Sequence, residues 1–235
     1  IMERRDPADP QPMRMATERT LTVDEARHFY DRMGARQDWN SFYEDPAIEA
    51  MVLHAGFDQA RSVVEFGCGT GRLAERLLDR HLAPEARYLG IDVSPTMASL
   101  ARERLARFGD RASIRLSDGR ATIDTPEESF DRFVSTYVFD LLSRADIAGV
   151  VGEAYRVLAP GGRLCAISLT NGRTTVGQFI SKTLHGIWSL EPKLIGGCRP
   201  IALEDFLDKG RFEMSHFEIV SSFGLSSEAI VATRR

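Results

Sequence analysis

The 235-residue sequence predicts an α/β fold, a mainly parallel open sheet with helices on both faces. Three observations carry that expectation. Short apolar runs alternate with amphipathic segments between residues 62 and 169, and such an alternation closes through right-handed crossovers over a parallel sheet. A glycine-rich turn, Gly67-Cys68-Gly69-Thr70-Gly71, directly follows the first apolar run. The composition, 43% apolar and 27% charged, is that of a chain able to bury a full core.

The elements follow in order. Residues 1–20 hold Pro7, Pro10 and Pro12 among charges without periodicity, the composition of a disordered tail, which leaves 21–235 as a single domain. Val23, Ala26, Phe29, Tyr30 and Met33 recur at helical spacing, and a second helix is opened by Asp45-Pro46 and closed by Gly56. Residues 62–66 read as a buried strand, followed by a helix with Leu73, Ala74, Leu77 and Leu78 on one face. A second strand spans 88–93. Ser94 then caps a helix with Pro95 at its first position and Met97, Leu100, Ala101 and Leu105 as its stripe. Strands follow at 112–116 and 132–136. Ser143 caps a helix carrying Ile147, Val150, Val151, Ala154, Val157 and Leu158, which Pro160-Gly161-Gly162 stops before a strand at 163–169. The segments 217–222 and 229–233, separated by a short polar loop, must pair antiparallel. Between them and the preceding strand lies an insert, residues 171–212. In it Val176, Phe179, Ile180, Leu184, Ile187 and Trp188 form the apolar stripe of an amphipathic helix, a cover for the core or a lid over a ligand.

Thirty basic residues against 34 acidic ones give a net charge of −4, which argues against a nucleic-acid partner whose phosphates must be neutralised. Cys68, Cys165 and Cys198 are far apart with no metal-ligand spacing, so a reducing compartment and no metal are expected. No apolar run reaches membrane-span length and the first residues are charged. The expectation is a cytoplasmic protein, neither exported nor integral, with peripheral membrane contact and oligomeric state left open.

The glycine turn identifies a ligand class. A dinucleotide fingerprint would place its third glycine at position 72, where this chain has Arg72 with the glycine at 71 instead. The preceding Glu65 would repel a pyrophosphate and suits an amino-acid moiety. Asp92, ending the second strand, stands where an α/β sheet hydrogen-bonds a ribose. Ser117-Asp118-Gly119 ends the third, where a carboxylate accepts an adenine amine and the next N–H donates to the ring.

Val64-Glu65-Phe66-Gly67-Cys68-Gly69-Thr70-Gly71, Gly90-Ile91-Asp92-Val93-Ser94, Ser117-Asp118-Gly119 and Arg156-Val157-Leu158-Ala159-Pro160-Gly161-Gly162 occur in that order. On these motifs the chain resembles the class I S-adenosylmethionine (SAM) dependent methyltransferases, in the branch of the ubiquinone and menaquinone biosynthesis enzymes. The resemblance covers roughly residues 25–235. It implies a Rossmann-like seven-stranded sheet of order 3-2-1-4-5-7-6 with the last strand antiparallel. It places the Gly67, Cys68 and Gly69 backbone against the methionine part, Asp92 on the ribose, Asp118 and Gly119 on the adenine edge and Val93 and Met97 on its faces. Glu65, Gly71 and Thr136 complete the cofactor set. Ser135-Thr136-Tyr137-Val138-Phe139-Asp140 lacks the Asn/Asp-Pro-Pro-Tyr/Phe motif of enzymes that methylate nucleic-acid amines.

Methyl transfer from a sulfonium chiefly requires alignment and exclusion of water, and a base only where the acceptor must lose a proton. Tyr137, Asp140 and His185 are candidates for that proton, each with a structural reading as packing or capping residue. The acceptor site is expected in a cap made of helices 21–60 and the insert 171–212, with Tyr30, Tyr137, His185, Trp188 and Arg199 as candidate substrate residues. Arg199 is placed either for an acceptor carboxylate or for Asp205. Tyr30, Trp39 and Tyr43 can line the cofactor mouth or the core. The expected activity is methyl transfer to a small apolar acceptor, a quinone precursor, phenol or lipid amine. A non-catalytic SAM- or S-adenosylhomocysteine (SAH) binding regulator is the alternative. Replacing Asp92 by Ala orphans a ribose hydroxyl pair and is expected to weaken SAM binding by about 1 to 3 kcal/mol, measured by calorimetric titration; unchanged affinity would remove the ribose assignment.

Overall fold

The computed structural model describes residues 20–172, 183, 186, 188 and 197–235. The expected tail over residues 1–19, most of the amphipathic stretch of the insert and His185 lie outside the described residues.

Seven strands form one sheet among the described residues: β1 (Ser62–Phe66), β2 (Arg87–Asp92), β3 (Ala112–Leu116), β4 (Phe130–Thr136), β5 (Leu158–Thr170), β6 (Phe212–Ser222) and β7 (Leu225–Arg234). Their order is β3-β2-β1-β4-β5-β7-β6. The first five strands run parallel, and β7 is antiparallel to both neighbours. Strand period two divides the core: Val63, Val134, Cys165 and Ile167 face one side, Val64, Phe133, Leu164 and Ala166 the other. On the first side lie α2 (Ser41–Ala55) and α3 (Arg72–Arg80), and on the second α5 (Arg144–Val157). Of two further helices, α4 (Pro95–Leu105) packs along β3 beside α3, with Leu105 in the first core, and α1 (Val23–Met33) lies against α4.

The helix starts are set by local chemistry. Thr22 and Glu25 form a reciprocal capping box at α1, Ser94 accepts from the Met97 N–H, and Ser143 accepts from the Asp146 N–H. The second helix corrects the sequence expectation. It begins at Ser41, so Pro46 lies inside it. Proline cannot donate to the carbonyl four residues back, and that carbonyl, on Phe42, accepts the Ser222 hydroxyl at 3.4 Å instead. At the other end Arg132, buried in β4, donates from Nε to Ala55 O at 2.7 Å and from Nη2 to Gly56 O at 2.5 Å, so a strand side chain closes the helix C-terminus.

Strand boundaries differ from the expected ones at several places, most in the second half of the sheet. β5 begins at Leu158, because Phe130 pairs with Leu158 before the register jumps to Arg132 and Arg163, leaving Pro160-Gly161-Gly162 as an irregularity within the strand. β6 begins at Phe212, and β6 and β7 meet at a two-residue turn, Phe223-Gly224, rather than a polar loop. Both turn residues have positive φ, 51° and 82°, the backbone that matches strand twist in a tight hairpin.

α1 has no buried residue; polar contacts hold it. Arg27 Nε donates to Val93 O at 3.1 Å, and Asp31 accepts from the Ser94 hydroxyl at 2.5 Å and the Thr96 N–H at 3.2 Å. In the following turn Asp38 accepts from the Thr70 hydroxyl at 2.6 Å and from Arg104 at 2.5 Å. The N-terminal segment is thereby strapped across the end of the sheet where β1 and β2 stop.

Phe223 is 78% exposed and holds a left-handed backbone that asparagine tolerates better. Phe223→Asn is expected to raise stability by about 0.5 to 1 kcal/mol, seen as a higher urea midpoint; a lower midpoint would mean that its edge contact with Phe42, at 5.1 Å, outweighs the backbone strain.

Candidate functional site

A cavity of about 250 Å³ opens beyond the carboxyl ends of β1, β2 and β4, the crevice where the strand order reverses direction and open α/β sheets bind ligands. Its floor is the loop after β1. Gly67, at φ 78°, is where the chain turns, and a Cβ there would collide with Val138. The Gly67 and Cys68 N–H groups donate to Ile91 O at 2.8 and 3.0 Å. The Gly69 N–H donates to Asp92 Oδ2 at 2.8 Å, while the Ser94 N–H donates to Asp92 Oδ1 at 2.8 Å. Each Asp92 oxygen thus keeps lone-pair capacity for a further donor. Burial pushes the Asp92 carboxyl above its usual range, against the N–H groups of Ser94 and Gly69.

Glu65, Gly67, Cys68, Gly69, Asp92, Val93, Met97, Gly119 and Thr136 all border this cavity. Two residues of the expected cofactor set do not. Gly71 faces α4, where a Cβ would press on Ala101 at 3.1 Å, so it serves the approach of α3 to α4. Asp118 is exposed and its Oδ2 lies 3.2 Å from Arg120 Nε, at the rim rather than in the wall. Gly119 is overlain by Val23 of α1, which roofs that end.

Tyr30, Gln37, Glu44, Ile48, Tyr137, Leu141 and Leu142 also line the cavity. Tyr137 holds a left-handed backbone, φ 56°, a strain that persists only where the surroundings fix it. Its hydroxyl lies 3.0 Å from Ser227 Oγ, and Tyr43 meets its ring edge-on at 5.8 Å. Burial raises the Tyr30 and Tyr137 phenols above their usual range. Trp188 and Arg199 are buried and lie outside the wall. The Arg199 guanidinium sits 5.5 Å over the Trp188 ring and donates from Nη2 to Leu142 O at 2.5 Å. Arg199 therefore pins the loop after β4 and does not pair with Asp205, whose alternative was an acceptor carboxylate. Asp140 is likewise fully buried behind the wall, near Cys198 and Arg199.

Sequence reasoning missed Glu44, Arg72 and Asp38. Arg72 Nη2 lies 3.0 Å from Glu44 Oε2 and Nη1 lies 2.5 Å from Asp45 Oδ1. Nothing in the helical pattern of 41–55 marks Glu44, because its importance comes from the approach of α3. With Asp38, Glu44, Glu65, Asp92 and Asp146 facing one described cation, Arg72, the wall is acidic. It suits a cationic ligand and repels phosphate. No three-residue metal cluster and no helix long and apolar enough to cross a membrane occur among the described residues.

The sequence family described as a methyltransferase domain matches residues 63–162, β1 through the start of β5. The demethylmenaquinone methyltransferase of Tropheryma whipplei (strain Twist) is 34% identical over 176 residues, covering 73% of this chain and 70% of that protein. The demethylmenaquinone methyltransferase of Thermus thermophilus is 36% identical over 107 residues, 46% of each chain. The N-methyltransferase NodS of Bradyrhizobium japonicum WM9, solved with SAH, superposes with a TM-score of 0.66 at 20% identity, over 90% of this chain and 99% of that one; at that identity the likeness is one of fold.

Besides Asp92, burial pushes four carboxyls upward: Glu44, Asp140 and Glu228 to about 7 and Glu65 to about 8. Each stays protonated in the fold over a range where the unfolded chain, with carboxyl pKa values near ~4, has released its protons. Folding takes up protons there, so these groups make stability fall as pH rises toward about 8. His81 and His216, held below the usual histidine range chiefly by burial, act in the opposite direction only below about pH 6.5. The urea midpoint is therefore expected to drop between about pH 6.5 and 8.5, less steeply in Glu65→Gln; a flat profile would mean these carboxyls are ionised in the fold.

Proposed function

Because this chain belongs to the family of class I SAM-dependent methyltransferases, we propose that it methylates an apolar phenolic acceptor of the quinol-precursor kind. The observation that carries the reading is the single continuous cavity, in which the glycine loop and Asp92 lead directly to a wall of Tyr30, Ile48, Tyr137, Leu141 and Leu142. Apart from Gln37 and Glu44 that wall is aromatic and aliphatic, the lining suited to a largely apolar small molecule. The relatives named demethylmenaquinone methyltransferase support the same acceptor class.

SAM supplies a methyl group already activated on a sulfonium. The residues present fit such a ligand. Asp92 offers two oxygens, each with one backbone donor already satisfied, to the ribose hydroxyls. Val93 and Met97 flank the place of the adenine; the Gly119 N–H, which donates to the Ser117 hydroxyl at 3.0 Å, and Asp118, paired with Arg120, reach its edge by leaving those partners. Glu65, held by the Tyr88 hydroxyl at 2.6 Å, stands for the ammonium. The roof of α1 and the turn after it excludes water, and the fixed walls hold acceptor and methyl in line, the principal source of rate in such a transfer.

Glu65, pushed up to about 8 by burial, must be ionised to pair an ammonium. SAH affinity is therefore expected to weaken as pH falls below about 8, and Glu65→Gln to abolish that dependence, both read by calorimetric titration. In the same preparation a 2-alkyl-1,4-naphthoquinol is expected to yield a product one methylene heavier by mass spectrometry. SAH binding together with turnover of lipid amines alone would overturn the phenolic acceptor.

A further inference from the structure

Resting on the phenolic reading of the acceptor, we propose that Glu44 is the base that takes the acceptor's hydroxyl proton. Glu44 borders the acceptor end of the cavity beside Ile48 and Tyr137, is 7% exposed, and comes from α2, outside every cofactor-binding motif. Arg72 engages its Oε2 at 3.0 Å, and among the described residues no hydrogen bond engages Oε1. The carboxylate is thus oriented by one oxygen with the other available to a substrate.

The other groups nearby are committed. Asp38 is bound by Thr70 and Arg104, whose hydrogen bonds hold it below the usual carboxylate range in spite of partial burial. The Tyr137 hydroxyl is shared with Ser227, and the Tyr30 and Tyr137 phenols, raised by burial, are poor proton acceptors. Asp140 lies behind the wall. Asp146 accepts the hydroxyl of Ser143 at the start of α5. Glu65 accepts from Tyr88 and stands at the cofactor end.

Burial lifts Glu44 to about 7 against the pull of Arg72, with Asp45 and Asp38 adding to the rise. Tyr43, Tyr137, Asp140 and Cys198 are the remaining titratable groups coupled to it. A base poised near neutrality accepts a proton readily and returns it to solvent. In the transfer the acceptor O–H proton passes to the Glu44 carboxylate. The electron pair of the resulting phenolate, delocalised onto the adjacent unsubstituted ring carbon, forms the new carbon–carbon bond to the methyl group, and the pair of the breaking carbon–sulfur bond stays on sulfur. The ring carbon then loses its own proton to solvent while Glu44 returns the hydroxyl proton, so that one proton is released per turnover and Glu44 ends as the carboxylate.

The test is Glu44→Gln, which keeps an oxygen for Arg72, assayed in single turnovers with a 2-alkyl-1,4-naphthoquinol and with simple phenols. The expected result is a rate lower by about a hundredfold or more, SAH affinity within about twofold of the parent, and loss of the limb of the rate that rises through about pH 7. Infrared difference spectra should show a protonated carboxyl titrating near that pH in the parent and missing in the variant. An undiminished rate with the limb intact removes Glu44 as base and leaves the phenolic acceptor standing. A collapse of SAH affinity makes Glu44 a support of the cofactor site through Arg72 and equally overturns the proposal. If the parent binds SAH yet methylates no phenolic acceptor at any pH, the acceptor reading fails, and the role of Glu44 falls with it.

Discussion

The carboxylate of Asp92 is the point on which the arrangement depends. One oxygen holds the Gly69 N–H of the loop after β1 and the other holds the Ser94 N–H at the start of α4. The two turns on either side of the strand-order reversal are thereby tied into one cradle, and the carbonyl of the same residue accepts the Ser117 N–H from the end of β3. The Ser94 hydroxyl in turn donates to Asp31 of α1, so the roof over the cavity is registered on the floor next to this carboxylate. A buried carboxylate with two backbone donors is strongly oriented, which is what a site that must align three atoms requires.

The roof is held differently from the rest of the molecule. α2, α3 and α5 bury apolar faces against the sheet, whereas α1 has no fully buried residue and is fastened by Arg27 and Asp31. Hydrogen bonds that exchange with water contribute about 1 kcal/mol each, so a strap of this kind opens at less cost than a helix extracted from the core. A ligand enclosed by the roof needs such an exit.

The site also carries a cost. Glu44, Glu65 and Asp140 are buried with raised pKa values, and Tyr137 holds a left-handed backbone. Buried titratable groups and strained residues concentrate where function rather than stability sets the requirement. The large sheet compensates, with β5, β6 and β7 pairing over long registers.

What could be read from the chain was whatever rests on contacts near in sequence. The strand at 62–66, the Ser94 and Ser143 caps, the glycine turn and Asp92 are all local, because a helix cap or a strand-to-helix turn is decided within a few residues. Boundaries shifted where a distant partner intervenes: Pro46 is tolerated inside α2 because Ser222 serves the carbonyl it abandons, and β5 starts early because Phe130 pairs with Leu158. The same divide runs through the site. Asp92 and most of the glycine motif border the cavity, while Gly71 faces α4, Asp118 lies at the rim beside Arg120, and Arg199 donates to Leu142 O rather than to Asp205. Glu44 was invisible, since its burial, its partner Arg72 and its place on the acceptor wall arise only when α2 packs beside α3. The sequence by itself determined the fold class and the cofactor, which depend on patterns short in the chain; only the tertiary structure brought Glu44 and Arg72 into one cavity wall with Tyr30 and Tyr137, because those side chains are neighbours only in space.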